Sequence, residues 1–492
     1  MHEIVSIRPL LAVIASLAVT PILLSARSPN VREGWTFAAG AVKLGIVLSM
    51  LPAVLGGNVF CFALTEVIPG IRLAFRVDAM GMLFALVAST LWIVTSAYSI
   101  GYMRGLDEHS QTRYFCFFAI ALSATIGAAF AANLVTLYMF YEILSFATYP
   151  LVTHHQDEEA KISGRKYLFF IVGGSVVLVL PAMIICHMKA GTLDFAPQGF
   201  LAGHVTQGLA AVLLLLFVFG LAKAALMPMH SWLPAAMVAP TPVSALLHAV
   251  AVVKVGAFSV ARVLTGVFGV DLLAQYGLGI LLAVLASITI LVASFIALSQ
   301  DGLKRRLAFS TIGQLSYILL GVALLTPKSI TGGLVHIAMH AFGKITLFFC
   351  AGAIFVAAGI KNISEMKGLG RRMPITMGAF FIGSLSVIGL PPGGGFISKW
   401  FLALGALESH ELAFLCVLLF SSFLNAAYFL PIAYNAFFAK PPDDAKEVGF
   451  QEAPPWCVVP LAFTAIASVW LFFNPWPFLD LARLAAAQVT GG

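Results

Sequence analysis

Apolar residues fill this chain in blocks of about 20, and each block is apolar around its whole circumference rather than on one helical face. A helix of that length crosses ~30 Å of hydrocarbon. In hydrocarbon the backbone must satisfy its own hydrogen bonds, which leaves a helix bundle or a closed barrel. Barrel strands are short and alternate in polarity, so the pattern predicts an all-α membrane protein. Fourteen spans follow, over residues 4–26, 36–57, 78–101, 113–131, 133–152, 163–187, 207–235, 242–264, 272–299, 305–326, 330–360, 374–405, 411–438 and 454–474. Polar links separate them, among them HHQDEEAKISGRK (154–166) and KPPDDAKEVGFQE (440–452). No link is long enough to flank a soluble domain. The first block is too long for a signal peptide and lacks its small-residue cleavage pattern, so it is kept as a span.

Two spans are punctuated at depth. The seventh reads GLAKAALMPMHSWLP, with Pro228 and Pro234, and the twelfth reads GLPPGGGFISKW, with Pro391 and Pro392 ahead of three glycines. Proline removes a backbone donor, and a freed backbone at membrane depth is tolerated where it lines a wet or protein-filled cavity. Broken helices in corresponding positions point to transporter halves built as inverted repeats. Spans 4–8 and 9–13 make two five-helix units whose fourth member is broken each time. The expected organisation is a three-helix segment over 1–112, one unit over 113–264, a second over 265–438 and a last helix within 439–492.

Composition agrees. Hydrophobic residues make up 60% of the chain and charged residues 10%, against about 25% charged in soluble proteins. The formal net charge of +7 does not indicate a nucleic-acid partner, because the basic residues flank apolar spans, where they report topology. Sixteen Lys and Arg fall on the side of the first link and seven on the other. The richer side is expected to be cytoplasmic, with both termini outside. The six cysteines show no CxxC spacing, so neither an iron–sulfur cluster nor a zinc site is indicated. There is no P-loop and no GxGxxG, and no cofactor is expected.

The same count isolates the chemistry. Of 28 Lys and Arg, five belong to no link: Lys43, Lys223, Lys254, Lys344 and Lys399. All are lysine. Of 21 Asp and Glu, only Glu142 falls well inside a span. A charge at the bilayer centre costs about 2.5–3.5 kcal/mol on insertion scales, so each needs a reason. Lysine loses its proton readily when buried, has three donors and a flexible stem, whereas arginine stays protonated. Lysine at every position therefore favours proton transfer over fixed-charge anchoring. Glu142, in YMFYEILSFATYP, is the natural partner of Lys223. An ion pair would keep both charged, and separating it would let Lys223 release its proton. A structural pair that fixes helix packing is the alternative. Lys43, near the start of span two, is expected to snorkel to the surface.

His336, His340 and Lys344 recur at i, i+4 and i+8 in HIAMHAFGKITLFF. On a helix they form one stripe, spaced about 6 Å per step, and imidazole titrates near neutrality. Hydrogen bonding between helices by neutral histidines is the bland alternative. Metal binding by the i, i+4 pair lacks a third ligand. His248 and Lys254 share span eight, six residues apart, which on an α-helix places them on different faces. One would continue the path from Lys223 and the other would face the second unit. His230, beside the first break, is a further relay candidate, and Trp232 reads as an interface aromatic.

These segments, in this order, resemble the antiporter-like family shared by respiratory complex I, Mrp-type cation/proton antiporters and membrane-bound hydrogenases. The resemblance spans residues 113–438 and rests on FYEILS, AKAALMPMHSWLP, TPVSALLHAVAVVKVGAF, LKRRLAFSTIGQLSYILLG, HIAMHAFGKITLFFCAG and GLPPGGGFISKW. It implies fourteen helices, two inverted repeats that each form a half-channel, and a central polar axis. It implies that Glu142 and Lys223 gate the first half, that Lys254, His248, His340 and Lys344 connect the halves, and that Lys399 ends the second half facing outside. It implies other membrane subunits as partners and a bacterial plasma-membrane location. Protons are the expected cargo and Na+ the second candidate, carried by a partner. Two departures stand out. Span eight carries both the histidine of one subgroup and the lysine of another, and no long lateral helix follows span fourteen. The expected assignment is an Mrp D-type subunit. The alternative is a proton-pumping membrane subunit of complex I or of a hydrogenase, whose redox chemistry would belong to partners. A transporter of an organic substrate fits poorly with a single buried acid.

Overall fold

The computed structural model describes residues 2–440 and 449–491. Lys446, one of the link cations counted above, lies outside them. Among the described residues, twelve helices are long and apolar enough to cross a membrane. In chain order the helices begin with α1 (Arg8–Ser25), α2 (Pro29–Leu55), α3 (Ala79–Gly105), α4 (Gln111–Ala129), α5 (Leu134–Val152) and α6 (Glu158–Ala190). A shorter α7 (Gln207–Gly220) precedes α8 (Thr241–Phe268), α9 (Leu278–Ser299), α10 (Leu303–Ala323) and α11 (Pro327–Ala358). Then come α12 (Pro374–Ile388), α13 (Gly395–Glu408), α14 (Leu412–Phe438), α15 (Pro455–Phe473) and α16 (Trp476–Thr490).

The ends are set by local chemistry. Helix N-termini leave unpaired N–H groups, and short polar side chains accept from them. Asp78 caps α3 through the Gly81 amide at 2.9 Å, and Asn133 caps α5 through the Thr136 amide at 2.8 Å. Thr326 and Ser329 form a capping box at the start of α11. Helices α8, α10 and α11 lie at the centre: the apolar windows of α8 and α10 are 100% and 94% buried. Helices α1, α2 and α6 are only one-third buried, so they present apolar side chains outward, to lipid or to partners.

The two punctuated spans are interrupted where the sequence places the prolines. After α7 the chain makes a tight turn over Ala222–Ala224, loops through Pro228 and resumes at Trp232–Ala235, which includes Pro234. After α12 it runs through Gly389 to Gly394, including Pro391 and Pro392, and resumes as α13. The freed backbone groups find partners, as a buried backbone must. Trp232 Nε1 donates to the Ala222 carbonyl at 3.0 Å, and the Met227 amide donates to Thr289 Oγ1 at 3.2 Å. Trp232 is fully buried, so it closes the break rather than standing at an interface. At the second break the Gly394 amide donates to the Ser468 carbonyl at 2.9 Å and the Gly395 amide to Ser386 Oγ at 3.1 Å.

Three features depart from the sequence reading. First, the link between α2 and α3 is a hairpin of β2 (Val59–Ile68) and β3 (Ile71–Val77), joined by β1 (Glu3–Val5) running parallel to β2. Buried Ile71, Phe75 and Val77 face inward from β3, the period-2 pattern of a strand. Second, α16 follows the last predicted span and lies against α11 and α3. Third, Lys43 does not snorkel. It is fully buried, with its ammonium on Ser16 Oγ and 4.8 Å from the centre of the Trp92 ring. Lys43 lies in the middle of α2, too far from the helix end for its four-carbon stem to reach water.

Acids also sit deeper than the sequence suggests. Glu33 and Asp78 are enclosed at helix ends, each paired with arginine: Glu33 Oε1 accepts from Arg104 Nε at 3.1 Å, and Asp78 Oδ1 accepts from Arg262 Nη2 at 2.8 Å. Arg262 thus belongs to α8 rather than to a link. Burial pushes the Asp78 carboxyl up, but the guanidinium and the Gly81 amide outweigh it and hold the acid below its usual value.

Candidate functional site

Helix α5 carries Glu142 and faces the first break. Lys223, in the tight turn after α7, is fully buried. Its ammonium donates to the Tyr141 carbonyl at 2.6 Å and to Ser145 Oγ at 2.7 Å. Its backbone amide donates to the Tyr141 hydroxyl at 3.1 Å. Lys223 therefore bonds on both sides of Glu142 in sequence, without bonding Glu142 itself. Both carboxylate oxygens of Glu142 are buried and accept no hydrogen bond among the described residues. The expected direct ion pair is replaced by a contact to a carbonyl and a hydroxyl that leaves the acid unpaired.

Helix α8 passes directly behind this break. A Cβ at Gly256 would lie 2.2 Å from the Lys223 carbonyl carbon and the Ala224 nitrogen, so only glycine permits the approach. Two residues before it, Lys254 Nζ lies 2.6 Å from Nδ1 of His340 on α11. One hydrogen bridges that contact, donated by the amine or by the imidazole according to the tautomer and protonation state, so either group can hand it to the other.

His340 and His336 stack with ring centroids 5.6 Å apart, one helical turn from each other on α11. His336 Nδ1 lies 2.7 Å from Ser398 Oγ and its Nε2 lies 3.1 Å from Gln314 Oε1. Ser398 also reaches the Gly395 carbonyl at 2.9 Å. The hydroxyl has one hydrogen and two acceptors. Donating to Nδ1 suits neutral His336, and turning to the Gly395 carbonyl frees it to accept from imidazolium. Lys399 follows Ser398 on α13. It is half-buried, donating to the Ile388 carbonyl at 2.8 Å and to Ser422 Oγ at 3.0 Å. Its stem lies over Gly389, where a Cβ would be 2.4 Å from Lys399 Cδ and where φ is +89°. Glycine is required there on both counts.

Lys344 leaves the stripe for a side branch: it donates to Ser310 Oγ at 2.8 Å, and the Tyr428 hydroxyl donates to the same oxygen at 3.0 Å. His248 packs on Phe348 of α11, 4.9 Å between ring centres, and neither ring nitrogen has a partner among the described residues. His248 and Lys254 therefore both reach α11, instead of facing apart. A π-turn over Leu246–Val250 breaks the α-helical register on which their separation was counted. His230 lies in the loop of the first break, its Nδ1 3.2 Å from the Pro228 carbonyl, and it bonds none of the buried lysines among the described residues.

The structure thus brings Lys254, His340, His336 and Ser398 into one line of adjacent groups, with Lys399 the next residue on α13 and its ammonium turned to Ile388 and Ser422. Ser145, Ser310, Gln314, Ser398 and Tyr428 complete the contacts, and the sequence alone does not single them out. Hydroxyls and amides are common in spans, and nothing local marks those that meet a lysine.

The NADH:quinone oxidoreductase/Mrp antiporter transmembrane family model matches residues 131–425. The N subunit of an NADH-quinone oxidoreductase from Desulforudis audaxviator is 32% identical over 436 residues, covering 87% of this chain and 86% of that one. The A/B subunit of a probable K(+)/H(+) antiporter from Rhizobium meliloti is 29% identical over 93% of this chain, which spans only 46% of that longer protein. A chain of the Mrp complex from Dietzia superposes with a TM-score of 0.87, at 23% identity, covering 99% of this chain and 98% of that chain. The superposition establishes the shared fold. With three-fifths of its length under the family model, the chain belongs to the NADH:quinone oxidoreductase/Mrp antiporter family of membrane proteins.

Proposed function

We propose that this chain is the proton-carrying membrane subunit of a multisubunit monovalent cation/proton antiporter of the Mrp D type. The observation that carries it is the line from Lys254 through His340 and His336 to Ser398, in which every neighbouring pair contains a group able to give and take a proton. Residues 113–264 and 265–438 form two half-channels. Lys223 and Glu142 act in the first, Lys399 ends the second, and Lys254, His248, His336, His340 and Lys344 serve the boundary. Protons are the cargo, and Na+ exchange belongs to partner subunits in the same bilayer. A bacterial plasma membrane is the location. The side of the chain that carries Arg32 and Arg104 faces the cytoplasm and both termini face out, on the lysine and arginine asymmetry.

A second reading is kept because the relative from Desulforudis is a complex I subunit matched over most of its length. In that reading the same residues pump protons for a redox enzyme whose electron carriers lie in other subunits. One preparation separates the two: inverted vesicles of the native host, with proton movement followed by dye quenching. The antiporter reading expects quench reversal on adding Na+ or K+, lost when this chain is deleted. Proton uptake on adding NADH, lost on deletion with no cation response, sinks it. In the same cells, Glu159→Cys and Lys367→Cys test orientation. Labelling by an impermeant thiol reagent without opening the cells would reverse it.

A further inference from the structure

Away from the lysine line, two loops on the arginine-rich side meet at a cluster of four metal-binding side chains. The loop after α3 supplies Glu108 and His109, and the loop after α5 supplies His154 and His155. A single carboxylate oxygen, Glu108 Oε2, lies 3.7 Å from His154 Nε2, 3.7 Å from His155 Nδ1 and 4.0 Å from His109 Nδ1. Ligand atoms of Glu108, His109 and His154 all lie within 4.8 Å of one another.

A second observation points to a ligand. His154 is 0% exposed, yet neither of its ring nitrogens has a hydrogen-bond partner among the described residues. Burying an imidazole with both nitrogens unsatisfied is costly, and its Nε2 is aimed at the cluster. The surroundings hold the cluster in shape. Arg113 donates to the His154 carbonyl at 2.9 Å, and Gln111 donates to the Glu108 carbonyl at 3.1 Å. Asp107 and Ser110 adopt left-handed φ of 50° and 52°, which folds the first loop back toward the second.

The geometry points to a site for a divalent transition-metal ion of the zinc class, held by Glu108, His109 and His154 with His155 as fourth ligand. Tetrahedral zinc with bonds of about 2.0–2.2 Å spaces its ligand atoms about 3.3–3.6 Å apart. The distances from Glu108 exceed that spacing by only a few tenths of an ångström, a closure that side-chain rotation supplies. Three imidazoles and one carboxylate favour zinc, nickel or copper over calcium and magnesium, which take oxygen ligands. Occupancy would tie the end of α3 to the end of α5, the helix that carries Glu142. The ion acts there as a staple between two helix ends, ten residues from Glu142, about 15 Å along the helix axis.

The test uses the intact complex, purified without a polyhistidine tag and stripped with a chelator. Zinc alone is added in equilibrium dialysis and bound metal is counted by mass spectrometry; cobalt alone is added for absorption spectra. The expected result is one zinc per chain, and an intense four-coordinate cobalt spectrum. Zinc affinity should drop about tenfold or more in both E108Q and H109Q. His109 is half-exposed, with 50% of its side chain accessible, so H109Q leaves the fold intact. No zinc retained by the wild-type complex, unchanged zinc binding in H109Q and E108Q, or the weak spectrum of a hydrated six-coordinate cobalt ion would each overturn the site.

Discussion

The two broken helices use the same device and leave their lysines in different surroundings. Lys223 lies on the near side of its break, three residues after Gly220, and is fully enclosed; Lys399 lies on the far side of its break, within α13, and is half-buried. Lys223 is held by α5, the neighbouring helix that also carries the unpaired Glu142. Lys399 is held by the carbonyl end of its own interrupted helix, at Ile388, and by Ser422. Trp232 covers the Ala222 carbonyl at the first break, where Pro228 alone of residues 222–231 is exposed, whereas Leu390, Pro391 and Pro392 of the second are all exposed. A sealed lysine with an acid beside it suits a gate. A lysine at an open glycine-rich turn suits an exit. The lysines are thus unequal partners, although the sequence presents them as counterparts.

That inequality orders the outcomes of mutation. Lys254 joins the enclosed region to the histidine stripe through one contact, so Lys254→Ala removes the only amine bonded to His340 among the described residues. Proton transport in vesicles should fall about a hundredfold, with the complex still assembled on immunoblots. Transport near wild-type would show that the halves communicate by another route. Lys399→Ala should cost less, about tenfold, because water reaching the open break can take over its proton transfer. A complete block would instead make the second break as tight as the first. The smallest effect concerns structure rather than flow. Gly256→Ala forces a methyl against the Lys223 backbone and should destabilise the complex by about 1–3 kcal/mol in thermal unfolding. An unchanged melting temperature would mean that α8 does not press on the first break.

The reach of the sequence follows from what each feature depends on. The helices, both breaks and the buried lysines are legible, because hydrophobic length, proline and an unexplained charge are local signals. The His336–His340 stack is legible because i, i+4 spacing on an uninterrupted helix fixes it. The placement of His248 is not, since the π-turn at Leu246–Val250 has no marked residue pattern. The hairpin at Val59–Val77 reads as a link despite its Pro69–Gly70 turn signal, because a short strand pair carries little hydrophobic weight beside the spans. Lys43 misleads because the predicted span begins at residue 36 while α2 begins at Pro29, which places the lysine a further two turns inside. The cluster of Glu108, His109, His154 and His155 escapes because its two loops are distant in sequence and meet only in the fold.

The central claim is that the lysines act by losing and regaining protons rather than by holding fixed charge. Lys223→Arg tests it most directly. Arginine keeps a positive charge and donors for the Tyr141 carbonyl and the Ser145 hydroxyl, but its pKa above about 12 keeps it protonated. Dye-quench proton transport in vesicles, normalised to assembled complex, should fall close to that of Lys223→Ala. Near-normal transport by Lys223→Arg would contradict the account and leave Lys223 as a structural cation.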